Sequence, residues 1–158
     1  MKPRAELAVS IALEDLLTYR LMKLADTVRR ASMQAYGTRF GVTTAELRLL
    51  AVISAHQPLA ANDISRRTGL DKGWVSRSLA SLLKHQLVRR APHPEDSRAM
   101  LVSLTAAGTR LVKRLTPYAV TRQERLITGL AQADIEHILT VLQERADALL
   151  STPEVEKK

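Results

Sequence analysis

Residues 62–87, NDISRRTGLDKGWVSRSLASLLKHQL, place two helix signals around one glycine and leave little choice of local fold. The first helix spans roughly residues 60–68 with Ile64 as its core anchor, and Gly69 supplies the left-handed residue past its C-terminus. Ala60 and Ala61 are poor caps, which leaves Asn62 as a candidate cap two residues later. Asp71 caps the second helix, which runs to about Gln86. At about 100° per residue, Val75, Leu79, Leu82 and Leu83 fall on one face and Arg77 lies opposite them. The outward N-terminal face then offers Lys72, Trp74, Ser76 and Arg77, with Gly73, Ala80 and Ser81 as small neighbours that let the backbone approach a groove. An amphipathic helix alone suits any solvated surface. The preceding helix and glycine turn favour a DNA reader.

Charge agrees with that reading. The chain of 158 residues has a formal net charge of +8, which predicts attraction to a polyanion, nucleic acid or an acidic membrane surface alike. Its 46% hydrophobic and 25% charged residues describe a folded single domain rather than a disordered one. Aromatics are only 3%, so Leu, Val, Ile and Ala must build the core, which favours helices. With no cysteine, disulfides, thiolate metal sites and a cysteine redox switch are excluded. Glu14 and Asp15 interrupt what would be a signal peptide's apolar core, and no apolar run approaches the ~18 residues of a membrane span. A soluble, cytoplasmic protein without a membrane partner is expected.

The rest of the chain frames the helix pair. Over residues 5–36, Leu7, Ile11, Leu13, Leu17, Leu21, Leu24 and Val28 recur at helical spacing, and Leu16, Met22, Met33 and Tyr36 widen the stripe. A wide core face within one chain and a subunit interface explain that width equally well. Gly37 and Gly41 bracket a break, and Thr43 with Glu46 forms a capping box for a helix whose buried face is Leu47, Leu50, Ala51 and Ile53 or Ser54, ending at Pro58. After the helix pair the period changes: residues 88–91 and 100–104 read as strands joined by the polar loop PHPEDSR, a hairpin wing. An arginine at such a tip, Arg98, suits the narrow minor groove, and Asp96 suits a carboxylate that holds its rotamer. Thr105 caps a further helix, which Pro117 should kink or restart, and a last helix follows the break at residues 129–132. These terminal helices carry more apolar surface than a small winged module needs, so dimerisation through both chain ends is expected.

Four motifs in this order resemble the MarR family of bacterial transcriptional regulators, over residues 10–150. The most specific is Asp96-x-Arg98 followed by Val102-x-Leu104-Thr105-x-x-Gly108, which resembles the family's wing signature D-x-R-x(3)-V-x-L-T-x-x-G. Leu70-Asp71-Lys72 with Val75-Ser76-Arg77 resembles the start of its recognition helix, and residues 43–50 resemble the helix before it. The resemblance implies a mainly α fold with a small β-hairpin wing: a winged helix-turn-helix lobe over residues 43–105, with dimerisation helices at 5–36 and 106–150. It implies a homodimer on double-stranded DNA, reading a palindromic operator with half-sites about one helical turn (~10 bp) apart. It assigns Ser76 and Arg77 to the major groove, Lys72 to phosphate and Arg98 to the minor groove. Arg77 is the candidate guanine contact, since a guanidinium can bond O6 and N7 together. Arg90, with Arg66, Arg67 and Arg89, supplies salt-dependent phosphate attraction or surface charge. Two departures stand out. Alanine replaces the usual hydroxyl cap of the third helix, with Asn62 as a substitute. Trp74 either contacts a thymine methyl or sugar, or folds back on the preceding helix; the size of an indole favours packing.

Many relatives are repressors released by a small aromatic or phenolic acid. For such an anion, Arg20 and Arg48 are the candidate carboxylate partners, against the simpler reading of each as a surface arginine. His56, His85, His93 and His137 show no metal-ligand pairing, and His93 with Glu95 and Asp96 reads as a polar turn. No nucleophile–base pair, phosphate-binding glycine loop or H-E-x-x-H is present, so neither catalytic residues nor a cofactor are expected. A nonspecific architectural DNA binder and a protein-interaction module of the same winged fold stay open as alternatives.

Overall fold

The computed structural model describes residues 12–96 and 99–151. The chain is mainly helical with one small antiparallel sheet: α1 (Leu17–Phe40), α2 (Thr44–His56), β1 (Leu59–Ala60), α3 (Ala61–Thr68), α4 (Lys72–Lys84), β2 (Val88–Pro92), β3 (Met100–Leu104), α5 (Ala106–Leu126) and α6 (Gln132–Ser151). It divides into two compact units, residues 1–115 and 116–158.

In the first unit α2 is the core helix. Its capping box forms as expected: Glu46 N donates to Thr43 Oγ1 at 3.2 Å, and Glu46 Oε2 accepts from Thr43 N at 2.7 Å. The buried face departs from the expected one at Leu47, which is only half-buried, and at Ala51. Glu46, Leu49, Leu50 and Ile53 are buried while Ala51 is exposed, because Leu49 rather than Ala51 lies on the stripe continued by Ile53. Leu49, Leu50 and Ile53 meet Ile64 of α3 and Val75, Leu79 and Leu82 of α4 in an aliphatic core. Each such side chain contributes about 1.5–3 kcal/mol on burial.

Two helix boundaries depart from the sequence expectation. Helix α1 begins at Leu17 rather than near residue 5: a 3-10 turn, Leu13–Asp15, precedes it, and Leu16 between them is extended. Residues 1–11 lie outside those described. Gly37 does not break α1, which continues to Phe40 and stops at Gly41, whose φ of 68° is the left-handed cap. Asn62 caps nothing. It sits exposed inside the first turn of α3, whose N-cap is Ala60 without any side-chain bond.

The sheet has order β1-β3-β2, with β2 paired to β3 from Val88↔Leu104 to Pro92↔Met100. Strand β1 was not legible: two residues are too short to show a period. It pairs Leu59 with Val102, and both side chains are buried. The hairpin tip closes on itself, with His93 N donating to Ala99 O and Ala99 N to Asp96 O, both at 3.0 Å.

The end of α4, the wing and α5 are locked at Leu87. Helix α4 finishes in a Schellman arrangement, Leu87 N to Leu82 O and Gln86 N to Leu83 O, with Gln86 at φ 55°. The Leu87 carbonyl then accepts from Thr105 N at 3.0 Å, and Thr105 Oγ1 donates to Gln86 O at 2.7 Å while accepting from Gly108 N at 3.0 Å. A Cβ on Gly108 would stand 2.0 Å from the Leu87 oxygen. Thr105 therefore caps α5 as expected, and Gly108 is the only residue type that fits the approach.

In the second unit the α5 assignment continues past Pro117 to Leu126, so no restart occurs there, and Gly129 at φ 80° precedes α6. Helix α6 has no buried residue. Ile138, Leu139, Leu149 and Leu150 are exposed, as are Leu126 and Leu130. In the first unit Leu13, Leu17, Met22 and Leu24 are exposed likewise, so within each unit the expected wide apolar stripe is open rather than covered.

Gly108→Ala is expected to lower the unfolding free energy by about 1–3 kcal/mol through forced displacement of α5 from Leu87. Chemical denaturation measures it, and an unchanged midpoint at unchanged slope would contradict the lock described here.

Candidate nucleic-acid interface

The surface begins with the α3–α4 turn. Gly69 takes φ 64°, and three side chains hold the turn around it. Ser65 Oγ donates to Leu70 O at 2.7 Å, Thr68 Oγ1 donates to Ile64 O at 2.7 Å, and Arg48 Nη2 donates to the Thr68 carbonyl. Asp71 Oδ1 then accepts from Trp74 N at 2.9 Å and starts α4. These bonds aim α4 with Val75, Ser78, Leu79 and Leu82 inward.

Lys72, Trp74, Ser76 and Arg77 consequently face outward, all exposed. The expectation that Trp74 packs against the preceding helix is overturned: the indole is 52% exposed. Its partner is on its own helix, the Arg77 guanidinium, 4.8 Å from the ring centroid. One turn of helix separates the two residues, and long helical side chains lean toward the N-terminus, which brings Arg77 back over Trp74.

Around this face the other expected positions divide. Arg89 and Arg90 are exposed on β2, an edge strand of the sheet. Asp96 is exposed at the wing tip; Arg98, its expected partner, lies outside the described residues. Asn62 is exposed on the first turn of α3. Arg66 is tied to Asp63 at 2.6 Å across an exposed pair, which contributes at most a few tenths of a kcal/mol.

Cavities of the first unit include two that border these elements, and neither of the two is lined by Arg20 or Arg48. One, of about 710 Å³, lies between α1 and α4 and is lined by Arg29, Met33, Glu46, Trp74, Arg77 and Ser78 among others. The second, of about 510 Å³, is lined by Phe40, Glu46, His85, Arg110, Leu111 and Arg114 among others. Arg29 escaped the sequence reading and Met33 was read only as part of the apolar stripe, because nothing in a helical stripe marks which end of a long helix borders a cavity. Arg48 is committed to the Thr68 carbonyl. Among the described residues no group of His, Asp and Glu is arranged to hold a metal, and His93 Nδ1 accepts from Glu95 N at 3.2 Å, a polar turn. No helix among the described residues is long and apolar enough to cross a membrane.

The MarR family model matches residues 40–99, the span from the end of α1 through the wing tip. The fold matches the crystal structure of a MarR/EmrR family transcriptional regulator from Acinetobacter sp. ADP1 with a TM-score of 0.81 and 25% identity, over 90% of this chain and 100% of the other. Over this span the chain resembles the MarR family, and its fold is that of MarR-family regulators. MarR-family proteins are DNA-binding transcriptional regulators rather than enzymes, and the winged helix is their shared fold. Among related sequences, the HTH-type transcriptional repressor NicR of Pseudomonas putida is 24% identical over 107 residues, 68% of each chain. Two further structures share the fold. The S. aureus MepR–DNA complex has a TM-score of 0.76 at 21% identity, over 87% of this chain and 99% of that one. Bordetella bronchiseptica BpsR, whose DNA binding is regulated by 6-hydroxynicotinic acid, has a TM-score of 0.70 at 23% identity, over 83% and 99%.

Trp74 is the sole tryptophan, which makes its emission a reporter of the outward face of α4. Its fluorescence should change in intensity or wavelength as duplex DNA is added. Emission that stays flat through a titration in which gel shift shows binding would remove the outward face of α4 from the interface.

Proposed function

We propose that this MarR-family regulator is a homodimeric repressor of a palindromic operator. Each protomer lays α4 in a major groove and its wing beside the adjacent minor groove. The observation that carries the reading is the outward face of α4, where Lys72, Trp74, Ser76 and Arg77 are exposed together at the N-terminal end. In helix-turn-helix proteins that end of the second helix contacts base edges. Arg77 reads a guanine, Ser76 contacts a neighbouring base or sugar, and Lys72 and Arg90 contact phosphates. Asn62 serves at the start of α3 as a phosphate contact, and Arg98 with Asp96 serves the minor groove. The MepR–DNA complex supports DNA as the partner, and the repressor NicR supports the direction of control.

The lobe over residues 43–105 reads DNA, and helices α1, α5 and α6 hold the dimer. Exposed Leu17, Met22 and Leu24 in the first unit and Ile138, Leu139 and Leu149 in the second support that division, since exposed apolar surface of this extent calls for a partner. A small aromatic or phenolic acid releases the repressor from the cavity between α1 and α4, where the Arg29 and Arg77 guanidinium groups and the Trp74 ring offer charge and stacking. BpsR and its 6-hydroxynicotinic acid lend that class of ligand support.

Selection of bound fragments from the source genome, followed by footprinting, tests the reading. A protected palindrome with half-sites ~10 bp apart is expected, whereas a uniform ladder would indicate an architectural binder. On the selected site Arg77→Ala should relax discrimination at one base pair by about 1–3 kcal/mol, while equal losses on operator and random DNA would remove Arg77 from base reading. For assembly, sedimentation of wild type should give twice the chain mass. Ile138→Asp with Leu139→Asp should shift it to monomer with helicity retained, because both side chains are exposed in the isolated chain. A monomeric wild type would defeat the dimer.

A further inference from the structure

Gly73 occupies the first turn of α4, yet its φ lies outside the left-handed region, so the backbone does not require glycine there. An alanine would favour the helix. What the missing side chain permits is visible in its surroundings. A Cβ at Gly73 would stand 3.1 Å from Asp71 Oδ1, 3.4 Å from Arg77 Nη1 and 3.8 Å from Arg77 Nη2. Neither neighbour is backbone: one is the carboxylate that caps α4, the other the tip of the Arg77 guanidinium. The same guanidinium lies 4.8 Å from the centroid of the Trp74 ring. Arg77 thus folds back along its own helix against the half-exposed indole with Gly73 beside it, where a Cβ would press on Asp71 Oδ1 and touch the guanidinium at the edge of ordinary van der Waals contact. Burial does not account for the tryptophan, which is 52% exposed.

We infer that Gly73 and Trp74 are positioning residues for Arg77, holding its guanidinium at the N-terminal end of α4 before DNA arrives. A free arginine surrenders side-chain freedom when it makes a two-pronged contact with a base. One already stacked on an indole surrenders less. The pair therefore sets how sharply Arg77 discriminates, and does so without adding a contact of its own to the base. This rests on the reading of Arg77 as the base-contacting residue.

The experiment is a double-mutant cycle on the selected operator and on a version altered at the base pair that Arg77→Ala ceases to discriminate. Gly73→Ala and Trp74→Ala should each weaken operator binding roughly three- to ten-fold and narrow the discrimination. Trp74→Phe, which keeps an aromatic face, should restore most of it. In the Arg77→Ala background, Gly73→Ala and Trp74→Ala should have no further effect. Losses of equal size in both backgrounds would overturn the inference, since the glycine would then serve close approach to DNA and the indole would contact DNA directly. Full discrimination in Gly73→Ala and Trp74→Ala, with Arg77→Ala still defective, would overturn positioning alone and leave the regulator reading intact. Wild-type discrimination by Arg77→Ala would bring down both. The stacking itself is read without DNA by NMR: ring-current shifts of the Arg77 side-chain protons should be present in wild type, reduced in Gly73→Ala and absent in Trp74→Ala. Unshifted protons in wild type would also overturn the inference.

Discussion

The carbonyl of Leu87 is the point on which the DNA-facing elements depend. The N–H of the same residue closes α4 on Leu82, Val88 next to it opens the wing, and the carbonyl receives the head of α5. Thr105 reaches it through its backbone N–H, and Gly108 lets α5 come close enough for that bond to form. If this junction slackened, α4 would keep its helix but lose its angle to the hairpin. On the proposed reading, that angle is what lets a helix and a wing address neighbouring grooves together. Thr-x-x-Gly is therefore a joint between α4 and the wing, the two elements proposed to meet DNA, although neither residue lies on the outward face of α4.

A second set of bonds fixes the other end of α4. Helix α2 supplies Arg48 to the Thr68 carbonyl, so the last turn of α3 is held from outside by a side chain twenty residues earlier in sequence. Ser65 and Thr68 add bonds of their own, and Asp71 then fixes the first turn of α4. Between these bonds and the Leu87 junction, α4 is pinned at both termini and packed along one side. The outward face inherits that rigidity. Placing a reading surface on a regular element held in this way keeps its side chains in register with a groove better than a loop could.

How much of this the sequence discloses depends on the range of the interaction. Caps and faces are local, so the Thr43–Glu46 box, Asp71, Gly69 and the inward Val75, Leu79 and Leu82 are all legible from spacing. The wing is legible because Val88 and the alternation through Leu104 break a helical period abruptly. Strand β1 is not legible, since Leu59 and Ala60 become a strand only by pairing with β3, some forty residues later. The start of α1 is misread for a different cause: apolar spacing continues upstream through Leu13, while the backbone at Leu16 turns extended. Arg48 looks like any surface arginine because its partner is a main-chain carbonyl, which has no signature in the sequence. Trp74 is misread because size argues for burial, and a guanidinium on the same helix offers its ring a partner without burying it.

The two glycines at Gly73 and Gly108 show how a departure from local preference can be sorted by what would be struck. At Gly108 a side chain would meet a backbone oxygen, which cannot move without shifting a helix. That glycine answers to the fold. At Gly73 the nearest atoms are the ends of two polar side chains, which could move and leave the fold standing. A helix that only had to be stable would take alanine at Gly73 and would not leave an indole half in water one residue later. Both departures fall on the outward turn of α4, beside Arg77, where local preference is expected to yield to a site. The clustering carries the argument. Either residue alone would be an ordinary accident of a surface; together they surround the single guanidinium that faces away from the core at the start of this helix.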